Sequence, residues 1–247
     1  MKLDVLAFAA HPDDIELNCG GTVAALVNQG KAVGIVDLTQ GEMGTRGTVE
    51  TRKAEATDAA DILGVQFRTN LGIPDSQITN TRVHQLKIIE VVRQTQPSIC
   101  LIGAPWDRHP DHGKATTLMA DALFYSGLRK IETSDHEGAP QAVWRPAHIL
   151  HYMQDRPFEP DFVFDISDTF ETKQKSLLAY ATQFKSDGSS GEPETYISSQ
   201  RYFDAIKGRA AFYGHLGGFT YGEPFKYYNG PVPLNSLDFL FDLKTGR

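Results

Sequence analysis

Apolar residues in this chain gather into short dense runs, separated by longer stretches in which they recur at helical spacing. Residues 3–9 (LDVLAFA) are almost continuously apolar, the pattern of a parallel strand covered on both faces. Residues 32–39 (AVGIVDLT), 66–71, 98–102 (SICLI), 147–153 and 162–165 predict further strands. Helices are expected between them at 15–29, 49–63, 81–94 and 112–128. In the third of these, Val83, Leu86, Ile89 and Val92 fall near the 3.6-residue period, and Gly64 supplies a stop for the second.

Strands alternating with helices of this length imply βαβ units with right-handed crossovers. The expected fold is α/β: a Rossmann-like, doubly wound, mostly parallel sheet of order 3-2-1-4-5, followed by a C-terminal α/β extension. The last third reads differently. A helix is expected at 168–180 with Asp168 as its N-cap, another at 198–213, and a loop at 186–195 (SDGSSGEPET). One domain over 1–247 is the simplest division, with a core at 1–150 and an extension at 151–247.

Composition narrows the function. With 24 basic and 31 acidic residues the formal charge is −7, and no basic stripe offers itself to nucleic acid or to an anionic membrane. No apolar stretch approaches the roughly 20 residues that span a bilayer. The apolar run at the N-terminus meets two aspartates, so it reads as a strand and not as a signal peptide. Cys19 and Cys100 lack metal or redox spacing and are expected as buried thiols, which fits a cytoplasmic protein; a homo-oligomer stays open.

Two polar clusters interrupt the pattern: His11-Pro12-Asp13-Asp14-x-Glu16 after the first strand, and Trp106-Asp107-Arg108-His109-Pro110-Asp111-His112 after the fourth. In the expected strand order these two strands are neighbours at the switch point, where open α/β sheets bind ligands. Imidazoles and carboxylates are the ligands of hydrolytic zinc sites, which keep a position open for water. His11 and Asp14 are close enough to chelate one ion, which leaves Asp13 free beside the water. The second cluster offers one further ligand, with a spare His and Asp for orientation or proton transfer. An Asp-Asp pair alone is usually a helix cap, and a His-Pro pair a turn. Two such clusters at one switch point are harder to explain that way.

These residues resemble the PIG-L/LmbE-like family of zinc N-deacetylases, whose signatures A-H-P-D-D-x-E and H-x-D-H stand complete at 10–16 and 109–112. The resemblance implies His11, Asp14 and His112 as zinc ligands and Asp13 as general base. It implies His109 as stabiliser of the tetrahedral intermediate or proton donor to the leaving amine, and Asp111 as the carboxylate that orients a neighbouring imidazole. The segments GEMGTRGTVETR, LGIPDSQI, WDRHPDH, EPETYIS and YGEPF are similar to the branch that makes bacillithiol, which removes acetyl from N-acetylglucosaminyl malate. Two His and one Asp also suit iron(II) or cobalt.

The expected partner is a small sugar substrate. Arg46 and Arg52, in and just beyond the Gly-rich loop, are candidates for the malate carboxylates. Asp75 resembles a sugar-hydroxyl contact of the family, and Glu42 is a weaker candidate. Tyr196 and His215 stay outside the expected site. Rival readings are another N-acetylglucosamine substrate, a nucleotide-binding module and a non-catalytic metal-binding protein. The second fails because HPDDIE replaces the glycine-rich turn that admits a pyrophosphate.

Overall fold

The structure is a computed structural model and describes residues 1–184, 193 and 195–242. Most of the expected loop at 186–195, and Glu192 and Glu194 of the EPETYIS segment, lie outside the described residues.

Five parallel strands form the core: β1 (Val5–Ala9), β2 (Val33–Asp37), β3 (Phe67–Asn70), β4 (Ile99–Ile102) and β5 (His148–Tyr152). Two more, β6 (Phe162–Asp165) and β7 (Gly222–Tyr227), complete a seven-stranded sheet of order β3-β2-β1-β4-β5-β7-β6. β7 runs antiparallel to both its neighbours. The doubly wound order and its switch point, with β1 paired to β2 on one side and β4 on the other, are as the alternation predicts.

The continuous apolar run of β1 has a direct cause. Leu6 and Phe8 enter a core cluster with Ile88, Ile89 and Leu118, from α3 (Arg82–Thr95) and α4 (Pro110–Tyr125). Val5, Ala7 and Ala9 face the opposite cluster with Ile15, Cys19 and Val23 of α1 (Asp14–Asn28). Both faces of the strand are therefore sealed from water. α2 (Val49–Leu63) and α5 (Phe170–Ala179) pack with α1 on that second face. The short α6 (Ala181–Phe184) follows, α7 (Gln200–Gly217) covers β6 and β7, and α8 (Phe239–Asp242) lies near the end.

Several sequence expectations are corrected. β7 was not expected, because Gly222 and Pro224 are poor strand residues. Pro224 is tolerated because the ladder to β5 starts only at Phe225, so the missing N–H breaks no bond there. Asp168 does not cap α5; Thr169 precedes that helix and its hydroxyl donates to the Gly21 carbonyl instead. α4 begins at Pro110, two residues early, since proline's fixed φ suits a first helical turn and His109 caps it. Both cysteines are buried, free thiols, as expected. Among the described residues no helix is long and apolar enough to cross a membrane.

Candidate metal centre and active site

The sheet delivers the two clusters to one place. After β1 the chain turns sharply, and Asp13 takes a positive φ of 115°, a conformation that costs a non-glycine residue about 1–3 kcal/mol and recurs at functional sites. The turn lets Asp14 aim its carboxylate between two imidazoles. Its Oδ2 lies 3.7 Å from His11 Nδ1 and its Oδ1 3.3 Å from His112 Nε2. His112 comes from the first turn of α4, after β4, so the pairing spans the switch point.

Each imidazole is held from behind. His112 Nδ1 lies 2.6 Å from Asp107 Oδ2, and His11 Nε2 lies 3.1 Å from Asp75 Oδ1 and 3.6 Å from Asp111 Oδ2. Asp111 also accepts from the Ser76 N–H, and Asp75 from the Met43 N–H. This arrangement, one imidazole nitrogen toward a shared centre and the other on a carboxylate, is how metal-ligating histidines are oriented. Asp107 is the partner that sequence reasoning missed. It stands inside the quoted WDRHPDH cluster, and only the fold shows that it, and not Asp111, faces His112. The Asp111 carboxylate approaches His11, while its backbone N–H donates to His109 Nδ1.

His109 joins the group. Its ring lies 4.9 Å from that of His11 and 5.0 Å from that of His112, and the three histidines offer ring nitrogens within 4.8 Å of one another. The donor chemistry fits a divalent ion: imidazoles and a carboxylate converge in a buried setting, with further carboxylates behind them. Among the described residues His11, His109 and His112 form one group that could hold it and His11, Asp75 and Asp111 another, and the Asp14 carboxylate lies between His11 and His112.

The electrostatics follow from this packing. Burial pushes the Asp13 carboxyl up to about 7, against the pull of the Arg52 guanidinium. Burial acts against ionisation of Asp14 too, but His112 and His11 beside it hold its carboxyl well below the usual range. For His112, burial is outweighed by the Asp14 charge and the Asp107 hydrogen bond, which raise it to about 9. His109 is lowered by burial and by the neighbouring imidazoles.

Arg52 reaches the site from α2. It donates to the Pro12 carbonyl at 3.2 Å and lies 3.6 Å from Asp13 Oδ2. The Gly-rich loop closes over it so tightly that a Cβ on Gly41, whose φ is +67°, would stand 2.7 Å from Nη1. A cavity of about 350 Å³ opens above these groups. Of the expected substrate residues, Arg52 and Asp75 line it, whereas Arg46 and Glu42 do not. Arg46 is buried, and Glu42 instead accepts from the Asp75 N–H at 2.7 Å. Tyr196 lines the rim, its ring under Arg108, while His215 lies exposed on α7 away from the cavity. A larger hollow of about 460 Å³ between α2 and β3 shares only Pro12 and Arg52 with the surroundings of the site and is lined by none of the three histidines.

A doubly wound sheet with two His/Asp clusters converging at its switch point defines the class of protein: an α/β fold built around a candidate metal centre. A model of the PIG-L family, described as GlcNAc-PI de-N-acetylase, matches residues 6–123. A diacetylchitobiose deacetylase of Thermococcus kodakarensis is 30% identical over 92% of this chain and 83% of its own. A Bacillus cereus protein described as a probable N-acetyl-alpha-D-glucosaminyl L-malate deacetylase is 29% identical over 74% of this chain and 84% of its own. The crystal structure of a conserved protein of Thermus thermophilus superposes with a TM-score of 0.80 at 34% identity, covering 95% of this chain and 97% of that one. The chain belongs to the PIG-L family.

Proposed function

We propose that this protein is a divalent-metal-dependent hydrolase that removes the acetyl group from an N-acetylglucosamine-containing sugar, with zinc as the ion. The observation that carries this reading is the Asp14 carboxylate set between His11 and His112, with Asp13 beside it in the cavity and free of that pairing. His11, Asp14 and His112 would hold the ion. When bound, it supplies Lewis acidity that polarises the amide carbonyl and lowers the pKa of water to about 7.

The chain's own groups do the rest. Asp13, which burial brings to about 7 against the pull of Arg52, accepts a proton as water adds to the carbonyl carbon. The C–N bond then breaks: the proton that Asp13 took from water passes to the departing amine, acetate leaves the carbonyl side, and His109 donates a hydrogen bond to the carbonyl oxygen as charge develops on it. His109 suits that task because its Nδ1 accepts the Asp111 N–H, which puts the proton of the neutral ring on the other nitrogen as a donor to substrate. Asp107 and Asp75 keep the ligating imidazoles in register.

The lining of the cavity bears on the substrate. Asp13, Asp14, Asp75, Asp107 and Asp155 face it against two guanidiniums, Arg52 and Arg108. Arg108 is already engaged by Asp155 at 2.6 Å. That balance favours an uncharged glycan such as diacetylchitobiose, the named substrate of the Thermococcus relative. A second reading, N-acetylglucosaminyl malate, is favoured by the Bacillus relative and by the resembling segments.

Free-amine release from diacetylchitobiose, N-acetylglucosaminyl malate and N-acetylglucosamine, before and after chelation, tests all three levels. Release that chelation abolishes and zinc restores is expected, fastest on diacetylchitobiose. Faster release from the malate conjugate selects the second reading. Absence of release from every substrate with zinc, iron(II) or cobalt supplied removes the deacetylase reading.

A further inference from the structure

α1 is two helical pieces. Cys19, at φ −142° and ψ 19°, breaks it, so the turn that carries Asp14 is separated from the longer run that ends at Asn28. A break strands the N–H groups of the turn that follows it. Here one side chain from the far end of the sequence collects them. Gly21 N donates to Glu223 Oε1 at 3.1 Å, Thr22 N to Oε2 at 2.7 Å, and the Thr22 hydroxyl to Oε2 at 2.6 Å. A carboxylate at that position also meets the positive end of the inner helix. Lys173 of α5 donates to Oε1 and balances the charge, and both members of the pair are only 3% exposed.

The break is locked from other sides as well. Thr169 Oγ1 donates to the Gly21 carbonyl at 2.8 Å, and a Cβ on Gly21 would stand 2.8 Å from Ile166. Across the break, Asn18 Nδ2 donates to the Asp14 carbonyl at 2.8 Å, and Arg209 of α7 donates to Asn18 Oδ1 at 3.2 Å. The outer turn is thus set by groups from α5, α7 and β7, and its direction decides where the Asp13 and Asp14 carboxylates point.

We propose that Glu223 is a positioning residue for the metal-and-base turn: by capping the inner piece of α1 it keeps the helix broken at Cys19, and the break aims Asp13 and Asp14 at the imidazoles. The proposal rests on the metal-dependent reading above. It gives the GEP segment of β7 a task that its role as a strand does not require.

The test compares two ways of neutralising the buried pair. Replacing a buried ion pair by apolar groups of similar size often leaves stability unchanged, so the fold is expected to survive. Lys173→Met with Glu223→Gln keeps an acceptor for the N–H groups; Lys173→Met with Glu223→Leu removes it. Zinc dissociation constants from calorimetry, melting temperatures of the metal-free proteins, and kcat and KM separately are the readouts. The capless pair is expected to weaken zinc binding about 10- to 100-fold, as loss of an orienting group does. Its kcat should fall more than its KM changes, and its melting temperature should lie below that of the capped pair because the Gly21 and Thr22 donors lose their acceptor. The capped pair should bind zinc within about threefold of wild type, less than the shift that loss of an orienting group brings. Equal zinc affinity and kcat in the two pairs overturns the proposal. If the capless pair fails to fold, Glu223→Asp decides, since it keeps a charge near Lys173 but draws the carboxylate back from the Gly21 and Thr22 N–H groups: weaker zinc binding supports the proposal and unchanged binding overturns it. Wild-type protein that binds no zinc would overturn the function above instead, so the two failures are distinguishable.

Discussion

The five parallel strands and the C-terminal elements that extend the sheet carry charge of two different kinds. Loops and helix starts after β1, β3 and β4 supply His11, Asp13, Asp14, Asp75, Asp107, His109, Asp111 and His112, within or just behind one cavity. The C-terminal elements supply Lys173, Tyr180, Arg209 and Glu223, whose polar groups turn inward onto α1 and its surroundings. Tyr180, for instance, places its hydroxyl on Arg68 at 2.8 Å and on Glu16 at 3.3 Å, in a network closed by Arg68 and Asp37. In the proposed reading the first region presents chemistry to a substrate, and the second holds the first region still. Charges that must react stay beside a cavity, whereas charges that only orient can be buried wherever their partners satisfy them.

Four substitutions break or sharpen that contrast. Asp13→Asn, in the reacting region, should lower kcat by about 10²- to 10⁴-fold, the usual worth of a general base, while zinc affinity stays near wild type. Steady-state amine release with a calorimetric zinc titration reads both; full activity would remove Asp13 from the role. In the orienting region, Lys173→Met leaves the Glu223 charge buried without its partner. That change should cost about 3–5 kcal/mol in denaturant unfolding, the penalty of breaking a buried pair from one side. Asp107→Asn, behind His112, should weaken zinc binding about 10- to 100-fold with little effect on the melting temperature of the metal-free protein.

The smallest effect belongs to a surface charge in neither network. Glu50 sits fully exposed in the first turn of α2, and its own backbone N–H and the Thr48 hydroxyl hold its carboxyl below the ordinary value of 4.5. A depressed folded value contributes stability above the unfolded value, and that contribution is lost as pH falls through the folded one. Glu50→Gln should therefore destabilise slightly at pH 7 and progressively less as pH falls below 4.5, as a series of melting curves across that range would show. A loss of activity at pH 7 in this variant would contradict the division into reacting and orienting charges.

How much could be read in advance differs in the same way between the two regions. The strands of the parallel core announce themselves because both faces are covered, and the two clusters because His and Asp are unusual so densely at strand ends. β7 escapes notice because GEPFKY carries a glycine and a proline where a strand signal needs β-branched or aromatic residues. Asp168 looks like a cap by residue type, but local propensity yields to the long-range bond from Thr169 to Gly21. Arg46, in the Gly-rich loop, and Arg52, just beyond it, look alike as candidates, yet only Arg52 lines the cavity, with the loop backbone at Gly41 folded against its guanidinium.

The amino-acid sequence by itself determined the periodicity that makes a doubly wound sheet, the order of its parallel strands and the residue types brought to the switch point. Those are local properties: hydrophobic spacing and chemically distinctive clusters a few residues long. Tertiary structure alone decided which carboxylate stands behind which imidazole, and that Asp107, not Asp111, holds His112. It also decided that a glutamate 201 residues beyond Thr22 caps the broken helix beneath the site. Hydrogen bonds reach about 3 Å, so such pairings depend on where the packed sheet sets each backbone, which no short window of sequence encodes.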